Sequence, residues 1–455
     1  MGLSVIILAA GQGTRMRSAL PKVLHKLAHK PLVEHVIDRA KQLGAEDIHV
    51  VYGHGGDAVP TTLAHCEVDW VKQAQQLGTG HAVAQAIPHI PAERDVLVLY
   101  GDVPLTSAET LKNLIQLARQ SGFGLLTISL DDAAGYGRIL RGDDGRVLRI
   151  IEHKDASEAE RAITEVNTGI LATSRKNLAR WLERLDNDNA QGEYYLTDIV
   201  AMAVADAIDI STTSPSDEFE VLGVNNKRQL AALERAYQQQ QAERLLDGGV
   251  TLRDPARIDI RGNVRCGTDV IMDVNLVLEG EIDIGDKVEI GPNCLISNSR
   301  IESGARILAN CVIENAVVGK DSQVGPFSRL RPETVLAEAT HIGNFVEIKK
   351  AQIGQGSKVN HLSYVGDAVI GRNVNIGAGT ITCNYDGANK HLTEIGDEVF
   401  VGSDTQLVAP VKVGAGATIG AGSTITKAVA AGALALSRAK QISKSGWQRP
   451  MKKKS

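Results

Sequence analysis

Aromatic residues are scarce in this sequence: they make up 4% of its 455 positions, although 43% of all residues are hydrophobic. So small a share is low for a mixed enzyme core, and it indicates that part of the interior is too narrow to hold rings. Cysteine is scarce too, with residues at positions 66, 266, 294, 311 and 383. None of them has the C-x-x-C spacing, which argues against both a disulfide framework and a zinc site and favours a reducing compartment.

Long apolar runs and a strong net charge are missing as well. No window is long enough to span a membrane, and residues 1–5 lead directly into a predicted strand without a leader, so we expect a cytoplasmic protein without membrane insertion. The formal net charge is −5, which argues against non-specific binding to nucleic acid. We interpret the basic residues 451–455 as a solvated tail.

What the sequence does have is a six-residue repeat between about Val264 and Ile425. An aliphatic anchor recurs at every sixth position, often followed by glycine, as at Ile284, Ile290, Val318, Val324, Ile342, Ile353, Ile370, Ile376, Ile395, Val401, Val413 and Ile419. Three residues after an anchor comes a residue that tolerates left-handed backbone angles, as at Asn293, Gly304, Asp321, Gly356, Asn373, Gly379, Gly416 and Gly422. This pattern is typical of the hexapeptide parallel β-helix, whereas a flexible linker would carry no periodic Val and Ile.

The steps between successive anchors predict a three-sided coil. Four steps shrink from six residues to five: Ile296 to Ile301, Ile313 to Val318, Ile348 to Ile353 and Val365 to Ile370. Each shortened step follows a whole number of groups of three repeats, so in a triangular prism all of them lie on one edge. The long step from Thr382 to Ile395 falls at the same place, and residues 383–390 should protrude from that edge. Known hexapeptide folds are left-handed, and we expect the same hand here.

Residues 1–226 have the pattern of a doubly wound α/β domain. The apolar residues 4–10 predict a buried parallel strand, the glycine-rich segment 11–16 follows it, and helical and strand patterns then alternate. The glycine segment lacks the third glycine of a dinucleotide fingerprint. We interpret it as a loop whose backbone N–H groups bind a triphosphate together with Arg15 and Lys22, beyond the carboxyl ends of the strands.

Two later segments of this domain are suited to a nucleobase and to a metal ion. Gln73, with Gly78 and Thr79 at the start of a predicted helix, forms a candidate nucleobase site, although Gly-Thr-Gly is also an ordinary helix start. Asp102 follows the apolar strand 96–100, where a carboxylate is a natural Mg²⁺ ligand or a plain turn residue. Asn225 supplies a neutral oxygen suited to complete the same metal site.

A sugar pocket is predicted from three residues near strand ends. Gly137 allows a close approach of the backbone, and Glu152 and Asn167 are suited to bond sugar hydroxyl groups. Farther on, Thr197 or Asp198 is predicted to cap a helix that starts at residue 198.

A helical linker is predicted for residues 227–249, where a helical pattern without breaks ends at Gly248-Gly249. Residues 250–455 then make up the repeat domain and its tail.

These motifs together resemble a known enzyme family. The string Leu-Ala-Ala-Gly-x-Gly-Thr-Arg-Met at 8–16 with Pro21-Lys22, plus Gly101-Asp102, Gly137, Glu152, Asn167 and Asn225, resembles the sugar-1-phosphate nucleotidyltransferases. With Gly-Glu-Tyr-Tyr-Leu-Thr-Asp at 192–198 and the repeat domain, nearly the whole chain resembles the bacterial bifunctional N-acetylglucosamine-1-phosphate uridylyltransferase/glucosamine-1-phosphate N-acetyltransferases.

The resemblance implies a Rossmann-like nucleotidyltransferase domain, an all-β left-handed parallel β-helix and two reactions. Acetyl-CoA would acetylate glucosamine-1-phosphate, and N-acetylglucosamine-1-phosphate would then attack the α-phosphorus of UTP. The products would be pyrophosphate and UDP-N-acetylglucosamine, used for peptidoglycan and lipopolysaccharide. Mg²⁺ on Asp102 and Asn225 would neutralise charge and orient the displacement. A homotrimer is implied too, because acetyl-CoA clefts of such coils form between prisms.

Residue roles also follow from the resemblance. His361 would be the general base of acetyl transfer, at an edge shared with the cations and the protruding loop. The sugar-phosphate site would comprise Arg331, Lys349, Tyr364, Asn375 and Lys390, and the acetyl-CoA site Ala378, Asn384, Tyr385, Ser403, Ala421 and Arg438. The uridylyltransferase site would comprise Leu8, Ala9, Ala10, Gly11, Arg15, Lys22, Gln73, Gly78, Thr79, Tyr100, Gly101, Asp102, Gly137, Glu152, Asn167 and Asn225, with Arg15 and Lys22 in catalytic roles.

Two other functions are weighed against this one. In the first, the coil is only a trimerisation scaffold, which would need neither His361, Lys349 and Tyr364 nor the insert at 384–390. In the second, the chain is a non-catalytic binding or regulatory protein, and the intact glycine loop with Asp102 and Asn225 argues against it.

Overall fold

The structure is a computed structural model that describes residues 2–452. The chain divides into two compact units, residues 1–237 and 238–455. The division falls inside the helix Lys227–Asp247, in the segment for which the sequence predicted a helical linker. Of the predicted basic tail, residues 453–455 lie outside the described residues. Within residues 2–452 no helix is both long and apolar enough to cross a membrane.

The first unit alternates strands and helices. Its strands are β1 (Leu3–Leu8), β2 (Lys26–Leu27), β3 (Lys30–Pro31), β4 (Asp47–Tyr52), β5 (Asp69–Lys72), β6 (Asp95–Tyr100), β7 (Gly122–Ser129), β8 (Arg138–Arg141), β9 (Val147–Ile151), β10 (Glu165–Ser174) and β11 (Asp209–Thr213). Its helices are α1 (Leu32–Gln42), α2 (Ala58–Thr62), α3 (Thr79–Ala86), α4 (Ala108–Ser121), α5 (Glu158–Arg161), α6 (Arg175–Leu182), α7 (Asp198–Ala205) and the first half of α8 (Lys227–Asp247).

The main sheet of this unit has the order β11-β7-β10-β6-β1-β4-β5, with the hairpin of β8 and β9 attached to β10. β1 is parallel to β4 and β6, as predicted for the first apolar run. β10 runs antiparallel to β6 and β7, so the segment at Asn167 begins a strand, whereas the sequence pattern indicated a strand end. Because β10 is reversed, its start still lies at the edge where β6 ends, and the expected location of Asn167 is kept.

The sheet is buried on both faces, which explains the unbroken apolar run in β1. Val5 and Ile7 point into one core with α1 and α4, while Ile6 and Leu8 point into the other with α3, α6 and α7. Successive residues of a strand face opposite sides, so a strand covered on both sides needs apolar residues throughout. The helical layers leave the carboxyl ends of β1 and β6 free to carry polar residues.

The second unit is a coil of short parallel strands with three faces, which we call A, B and C. Face A is one sheet, with strands Thr251–Leu252, Ile271–Met272, Glu289–Ile290, Arg306–Ile307, Gln323–Val324, His341–Asn344, Lys358–His361, Asn375–Ile376, Phe400–Val401, Thr418–Ile419 and Leu434–Ala435. Faces B and C belong to a second sheet, with strands Ile258–Cys266, Leu276–Ile284, Leu295–Ser297, Arg300–Ile301, Val312–Glu314, Ala316–Val318, Arg329–Leu330, Thr334–Leu336, Glu347–Ile353, Tyr364–Ile370, Ile381–Cys383, Thr393–Ile395, Gln406–Val408, Val411–Val413 and Thr424–Ile425.

Strand pairing confirms the predicted three-sided count. Ile296, Ile313, Leu330, Ile348 and Val365 pair in sequence along face B. Ile301, Val318, Leu336, Ile353 and Ile370 pair in the same way along face C. Every shortened step therefore crosses from face B to face C, at a corner that we call edge BC. The long step from Thr382 to Ile395 crosses there too, so the insert at 383–390 protrudes from edge BC.

The predicted turn residues all have left-handed backbone angles, with φ between 53° at Asn373 and 74° at Gly304. The same angles occur at Phe327, Phe345 and Leu362, which the sequence pattern did not single out. Bulky residues cost about 1–2 kcal/mol in this conformation. The rings of Phe327 and Phe345 stack outside the coil with centroids 5.4 Å apart, an arrangement that offsets part of the cost.

The low aromatic content has the predicted cause. Among the described residues, the buried cluster of the coil consists of Ile, Val, Leu, Ala, Met and Cys side chains. Cys294 and Cys311 each lie four residues after a face A anchor in two successive turns, at a position where small side chains point inward, and they are 1% and 0% exposed. A cross-section with one inward aliphatic residue per face has no room for rings.

Candidate active sites

A cavity of about 520 Å³ opens in the first unit where β1 and β6 end. Leu8 pairs with Tyr100 across these two strands, so their carboxyl ends lie side by side and form one wall. The lining consists of Leu8, Ala9, Ala10, Gly11, Gln12, Lys22, Val23, Gln73, Gln76, Gly78, Thr79, Ala82, Tyr100, Asp102 and Glu193. The fold thus brings together residues from four of the predicted segments. Gly101 supports the wall from behind, since its N–H donates to the carbonyl oxygen of Leu8 at 2.9 Å.

The glycine loop wraps around the stem of Lys22. Gly13 has φ of 62°, and a Cβ atom there would lie 2.6 Å from Cβ of Lys22, so this position admits only glycine. A short 3₁₀ helix, Thr14–Met16, follows and carries Arg15. The loop therefore positions the two predicted phosphate-binding cations on neighbouring stretches of backbone.

The two cations converge on the predicted metal ligands. The ammonium group of Lys22 forms an ion pair with the carboxylate of Asp102 and donates to Oδ1 of Asn225 at 3.3 Å. Arg15 donates to the same Oδ1 atom at 3.1 Å. A backbone hydrogen bond of 2.9 Å from Val224 to the carbonyl of Asp102 holds the two segments together. Asp102 and Asn225 thus direct side-chain oxygen atoms at one positive charge, the ammonium group of Lys22. Oxygen atoms of this kind are the ligands that Mg²⁺ takes, so the two residues fit that ion.

The predicted nucleobase site is a wall built by two segments. Gln73 is buried, and its Nε2 donates to the carbonyl of Gly78 at 3.1 Å and to Nδ1 of His81 at 3.0 Å. The N–H of Gly80 donates to the carbonyl of Tyr194 at 2.8 Å, and Tyr194 donates to Leu77 at 2.8 Å. Gly78 and Gly80 must be glycine because their backbone lies against the backbone of Tyr194, whether or not a ligand also approaches them.

The three predicted sugar-pocket residues lie together on the other side of Tyr100. Asn167 donates its N–H to the carbonyl of Gly137 at 2.8 Å, and its Oδ1 accepts from the N–H of Gly169 at 3.0 Å. A Cβ atom on Gly137 would lie 3.6 Å from Oε1 of Glu152, and one on Gly169 would lie 2.5 Å from the ring of Tyr100. The pocket wall is therefore continuous from the end of β6 to the start of β10.

Thr197 has a different role from the predicted one. It occupies the N-cap position of α7, but its side chain makes no capping hydrogen bond. Its hydroxyl group donates instead to Oε1 of Glu152 at 3.0 Å. Burial raises the pKa of Glu152, and the hydroxyl partly opposes that shift. Thr197 lies at the predicted N-cap position, but its backbone has helical angles (φ −62°, ψ −23°) where a capping residue normally has extended ones, so the predicted position is confirmed and the side-chain cap does not form.

Sequence reasoning missed several lining residues. Glu193 belongs to the string 192–198 but was not among the predicted site residues, and it lines the cavity beside Gly78. Gln76 donates to the carbonyl of Gln73 at 3.2 Å and continues the same wall. The sequence signal for Gln76 was its place just before the glycine-rich start of α3. No such signal exists for Glu193, which tertiary packing brings to the cavity wall.

In the second unit, several predicted residues form one column on the corner between faces A and B, which we call edge AB. His361, Ala378, Ser403 and Ala421 occupy the same position in successive turns, two residues after a face A anchor. Backbone hydrogen bonds link each turn to the next, from Gly379 to His361, Asp404 to Ala378 and Gly422 to Ser403. Arg438 extends the column by donating to the carbonyl of Ala421 at 3.2 Å. The candidate base thus shares edge AB with Ala378, Ser403, Ala421 and Arg438, whereas Asn384 and Tyr385 of the predicted acetyl-CoA set belong to the insert at edge BC.

His361 has a defined orientation at the head of this column. Its Nδ1 lies 3.2 Å from Oδ1 of Asn344 in the preceding turn. Since an amide oxygen only accepts, Nδ1 carries the proton in this contact and Nε2 keeps its lone pair. Asn375, from the predicted sugar-phosphate set, lies in face A on the strand Asn375–Ile376.

The candidate sugar-phosphate cations lie on a different edge from His361, which corrects the prediction of one shared edge. Arg331 and Lys349 directly follow face B anchors and project at edge BC, where Arg331 pairs with Glu347 at 2.8 Å. Tyr364 lies on face B between the two edges, with its hydroxyl over Gly366 at edge BC. His361 precedes the turn residue Leu362, so it belongs to the opposite side of face B. Counting repeats locates the short steps, but His361 lies five residues before that corner, on the other side of the turn at Leu362.

The insert at edge BC is held by its own contacts. Asn384 is 5% exposed and donates to Oδ2 of Asp367 at 2.5 Å. Asp386 accepts from the N–H groups of Ala388 and Asn389 at 2.8 and 2.7 Å, and His391 lies 2.7 Å from the same carboxylate. These contacts hold the pKa of Asp386 far below its usual range.

The tip of the insert presents a ring and a cation. The ammonium group of Lys390 lies 5.4 Å from the centre of the Tyr385 ring, which is exposed. This arrangement keeps both side chains of the predicted set at the outer end of the insert.

Comparison with known proteins assigns both units. Residues 5–253 match the family described as MobA-like NTP transferase domain, residues 260–353 match the GMPPB C-terminal domain, and residues 392–427 match the bacterial transferase hexapeptide family with six repeats. A solved structure of UDP-glucose pyrophosphorylase complexed with UDP-glucose aligns with a TM-score of 0.44 and 17% identity, covering 53% of this chain and 100% of that one. That likeness is too distant to bear on function.

One curated relative aligns with nearly the whole chain. The chain is 59% identical over 450 residues to the bifunctional protein GlmU of Marinobacter nauticus (strain ATCC 700491 / DSM 11845 / VT8), and the alignment covers 99% of both chains. The chain therefore belongs to the family of bifunctional GlmU proteins.

Proposed function

We propose that the two candidate sites carry out the two reactions of this family, each on its own unit. The chain is a bifunctional enzyme of UDP-N-acetylglucosamine synthesis, with glucosamine-1-phosphate N-acetyltransferase and N-acetylglucosamine-1-phosphate uridylyltransferase activities. A coil acting only as a scaffold is therefore not retained. The observation that carries the proposal is the meeting of Lys22, Arg15, Asp102 and Asn225 at the mouth of the first cavity.

For uridylyl transfer, the first cavity binds UTP with the base against the wall of Gln73, Gly78 and Thr79. Lys22 and Arg15 bind the phosphate groups and stabilise the charge that develops when the sugar phosphate attacks the α-phosphorus and pyrophosphate leaves. Glu152 and Asn167 hold the sugar hydroxyl groups. Mg²⁺ held by Asp102 and Asn225 would supply charge neutralisation at the phosphates.

For acetyl transfer, His361 acts as the general base. Nε2 takes a proton from the amine of glucosamine-1-phosphate as the nitrogen attacks the acetyl carbonyl carbon, the C–S bond of acetyl-CoA breaks and the CoA sulfur leaves. Asn344 fixes the tautomer that makes Nε2 the acceptor. Acetyl-CoA lies along the column of Ala378, Ser403, Ala421 and Arg438.

The separation of the two edges supports a homotrimer. Within one coil the acetyl-CoA column lies at edge AB, while Arg331, Lys349 and the insert with Asn384, Tyr385 and Lys390 lie at edge BC. When edge BC of one coil meets edge AB of the next, both sets line one cleft, and three such contacts close a ring. The exposed Phe327, Phe345 and Leu362 at edge AB supply apolar surface for this contact. We also propose that the enzyme works in the cytoplasm, where its substrates are made, and that its product supplies cell-wall synthesis.

The separate roles of the two sites are tested by His361→Ala. Acetyl transfer, followed as CoA release, should be lost, and uridylyl transfer, followed as pyrophosphate release, should stay at the wild-type rate. His341→Ala removes a histidine from the neighbouring turn of face A and should leave both rates unchanged. Surviving acetyl transfer in His361→Ala would remove the histidine from the mechanism.

The metal assignment is tested by Asp102→Ala. Mg²⁺-dependent pyrophosphate release should fall by about 100-fold or more, because the ion that would neutralise transition-state charge loses its carboxylate ligand. Asp143→Ala, in an exposed hairpin turn, is the matched control. Unchanged dependence on Mg²⁺ in Asp102→Ala would exclude Asp102 as a ligand.

The shared cleft is tested by mixing subunits. His361→Ala and Lys390→Ala should each lack acetyl transfer as pure proteins. Co-expressed mixtures should regain a measurable fraction of the wild-type rate, since some clefts then receive both wild-type residues. Mixed trimers that stay inactive would mean that one chain supplies the whole site.

A further inference from the structure

We propose that Glu34, His65 and Cys66 form a binding site for a borderline-soft divalent metal ion such as Zn²⁺, apart from both active sites. One ligand atom of each residue lies within 4.8 Å of the others. The set combines a carboxylate oxygen, an imidazole nitrogen and a thiol sulfur, a donor mixture that Zn²⁺ takes readily and Mg²⁺ does not. The site needs no residue that the proposed uridylyl or acetyl transfer uses.

Local structure holds the three donors in position. Glu34 lies in the first turn of α1, and its Oε1 is 3.2 Å from Nε2 of His65. His65 and Cys66 end the turn after α2, where the N–H of Cys66 donates to the carbonyl of Leu63 at 2.8 Å. Two backbone segments that are distant in sequence therefore bring their three donor atoms together.

The distances suit a tetrahedral ion after a small movement. Zn²⁺ binds sulfur at about 2.3 Å and nitrogen or oxygen at about 2.0–2.2 Å, so neighbouring ligand atoms lie roughly 3.3–3.8 Å apart. The distance of 3.2 Å between Oε1 of Glu34 and Nε2 of His65 is already close to that range. The largest separation must close by about 1 Å, which the 62% exposed side chain of His65 allows. Solvent can supply the fourth ligand on the open side.

The thiol of Cys66 is not engaged in a hydrogen bond to the described backbone. In residues 2–452, Cys294, Cys311 and Cys383 have Sγ within 4.0 Å of backbone carbonyl oxygens, whereas Cys66 and Cys266 have no such hydrogen bond. Burial, reinforced by Glu34, raises the pKa of Cys66, so a bound metal must displace the thiol proton. The half-exposed position of the cluster lets both the metal and the released proton reach solvent.

This site escaped the sequence analysis because spacing rules look for ligands close together in the chain. The lack of C-x-x-C spacing in the sequence predicts that there is no zinc site, whereas Glu34 and His65 are 31 residues apart and meet only when α1 packs beside the 63–66 turn. That turn leads into β5, which ends next to Gln73. A bound ion is therefore expected to fasten α1 to the segment that enters the nucleobase wall.

The test uses the full-length protein with excess Mg²⁺ and measures Zn²⁺ affinity by competition with a chromophoric chelator. The wild type should bind one equivalent at this site, and Cys66→Ser and His65→Gln should each weaken it by about 100-fold or more, beyond the 10–100-fold typical of losing only a supporting contact. Cys383→Ser, which removes a thiol from the second unit, is the matched control and should bind as the wild type does. Equal affinity in all four proteins would overturn the proposal.

A second measurement guards against a folding defect in Cys66→Ser. X-ray absorption of the Zn²⁺ protein should show one sulfur neighbour at about 2.3 Å in the wild type and in His65→Gln at high Zn²⁺, but none in Cys66→Ser. An ion bound through nitrogen and oxygen alone in the wild type would refute the site. Uridylyl transfer in His65→Gln is measured in parallel and should be unchanged, so failure of the metal site is distinguishable from failure of the proposed enzyme function.

Discussion

Gly78 is the position where a single methyl group should do most damage to one activity and none to the other. Its φ is 111° and its ψ 176°, a region that is essentially reserved for glycine. A Cβ atom there would lie 2.6 Å from the carbonyl oxygen and 2.8 Å from the nitrogen of Tyr194. Real Cβ contacts do not reach such distances, so Gly78→Ala must push the Tyr194 segment away from the nucleobase wall.

The cost can be worked out from the contacts. The backbone conformation alone costs about 1–3 kcal/mol for alanine. Moving Tyr194 also weakens two hydrogen bonds of 2.8 Å, to Leu77 and Gly80, each worth about 0.5–1.5 kcal/mol. We therefore expect the free energy of unfolding of the first unit to fall by about 2–6 kcal/mol. A wall displaced by about 1 Å should lower kcat/KM for uridylyl transfer roughly 100-fold.

Because the chain carries two activities, the assay has an internal standard. Pyrophosphate release should fall in Gly78→Ala while CoA release from the same sample stays at the wild-type rate. Gly44→Ala is the matched control: its φ is 75°, but a Cβ atom there would meet no neighbour within 4 Å. It should cost about 1–2 kcal/mol and leave kcat/KM unchanged. Normal uridylyl transfer in Gly78→Ala would refute the argument that Tyr194 sets the wall.

Three further predictions concern buried or ordered carboxylates. Burial and the neighbouring Asp186 raise the pKa of Asp198 to about 6, so its contribution to stability is present below pH 4 and lost as pH rises through 6. Asp198→Asn should therefore raise the free energy of unfolding at pH 7.5 by about 1–2 kcal/mol, allowing for solvent screening. At pH 4 the free energy of unfolding, measured by urea titration, should be unchanged. Glu220 is 3% exposed and accepts from Thr110 at 2.7 Å and Ser107 at 2.9 Å, so Glu220→Ala should lower the free energy of unfolding by about 3 kcal/mol, and a loss below 1 kcal/mol would contradict its role. Asp386→Ala should loosen the insert and slow acetyl transfer about 10-fold at constant uridylyl transfer, a ratio of rates that a general folding defect would not produce.

The course of the coil was predictable because its pattern is local. Each anchor, turn residue and shortened step acts within one or two repeats, so the count along the chain predicts which residues share a face. The insert after Thr382 was located by the same count. Phe327 and Phe345 escaped it, because they occupy the turn position three residues after an anchor, where the coil requires left-handed angles that phenylalanine itself does not favour.

The first unit shows the same division. An apolar run followed by glycines and spaced cations indicates a strand end with a phosphate loop, whichever partners the strand has. The reversal of β10 and the contact of Thr197 with Glu152 depend on which elements pack side by side, and their patterns resemble those of an ordinary strand end and an ordinary cap.

The sequence by itself determined the periodic course of the chain: three faces, the edge that carries the insert, and the strand ends that bear Asp102 and the glycine loop. Periodicity acts between neighbouring residues, so one chain is enough to reveal it. Only the tertiary structure decided which distant residues meet outside the repeats: Lys22 between Asp102 and Asn225, and Glu34 beside His65 and Cys66. Those contacts arise from packing between segments tens to hundreds of residues apart, where chain spacing carries no distance information.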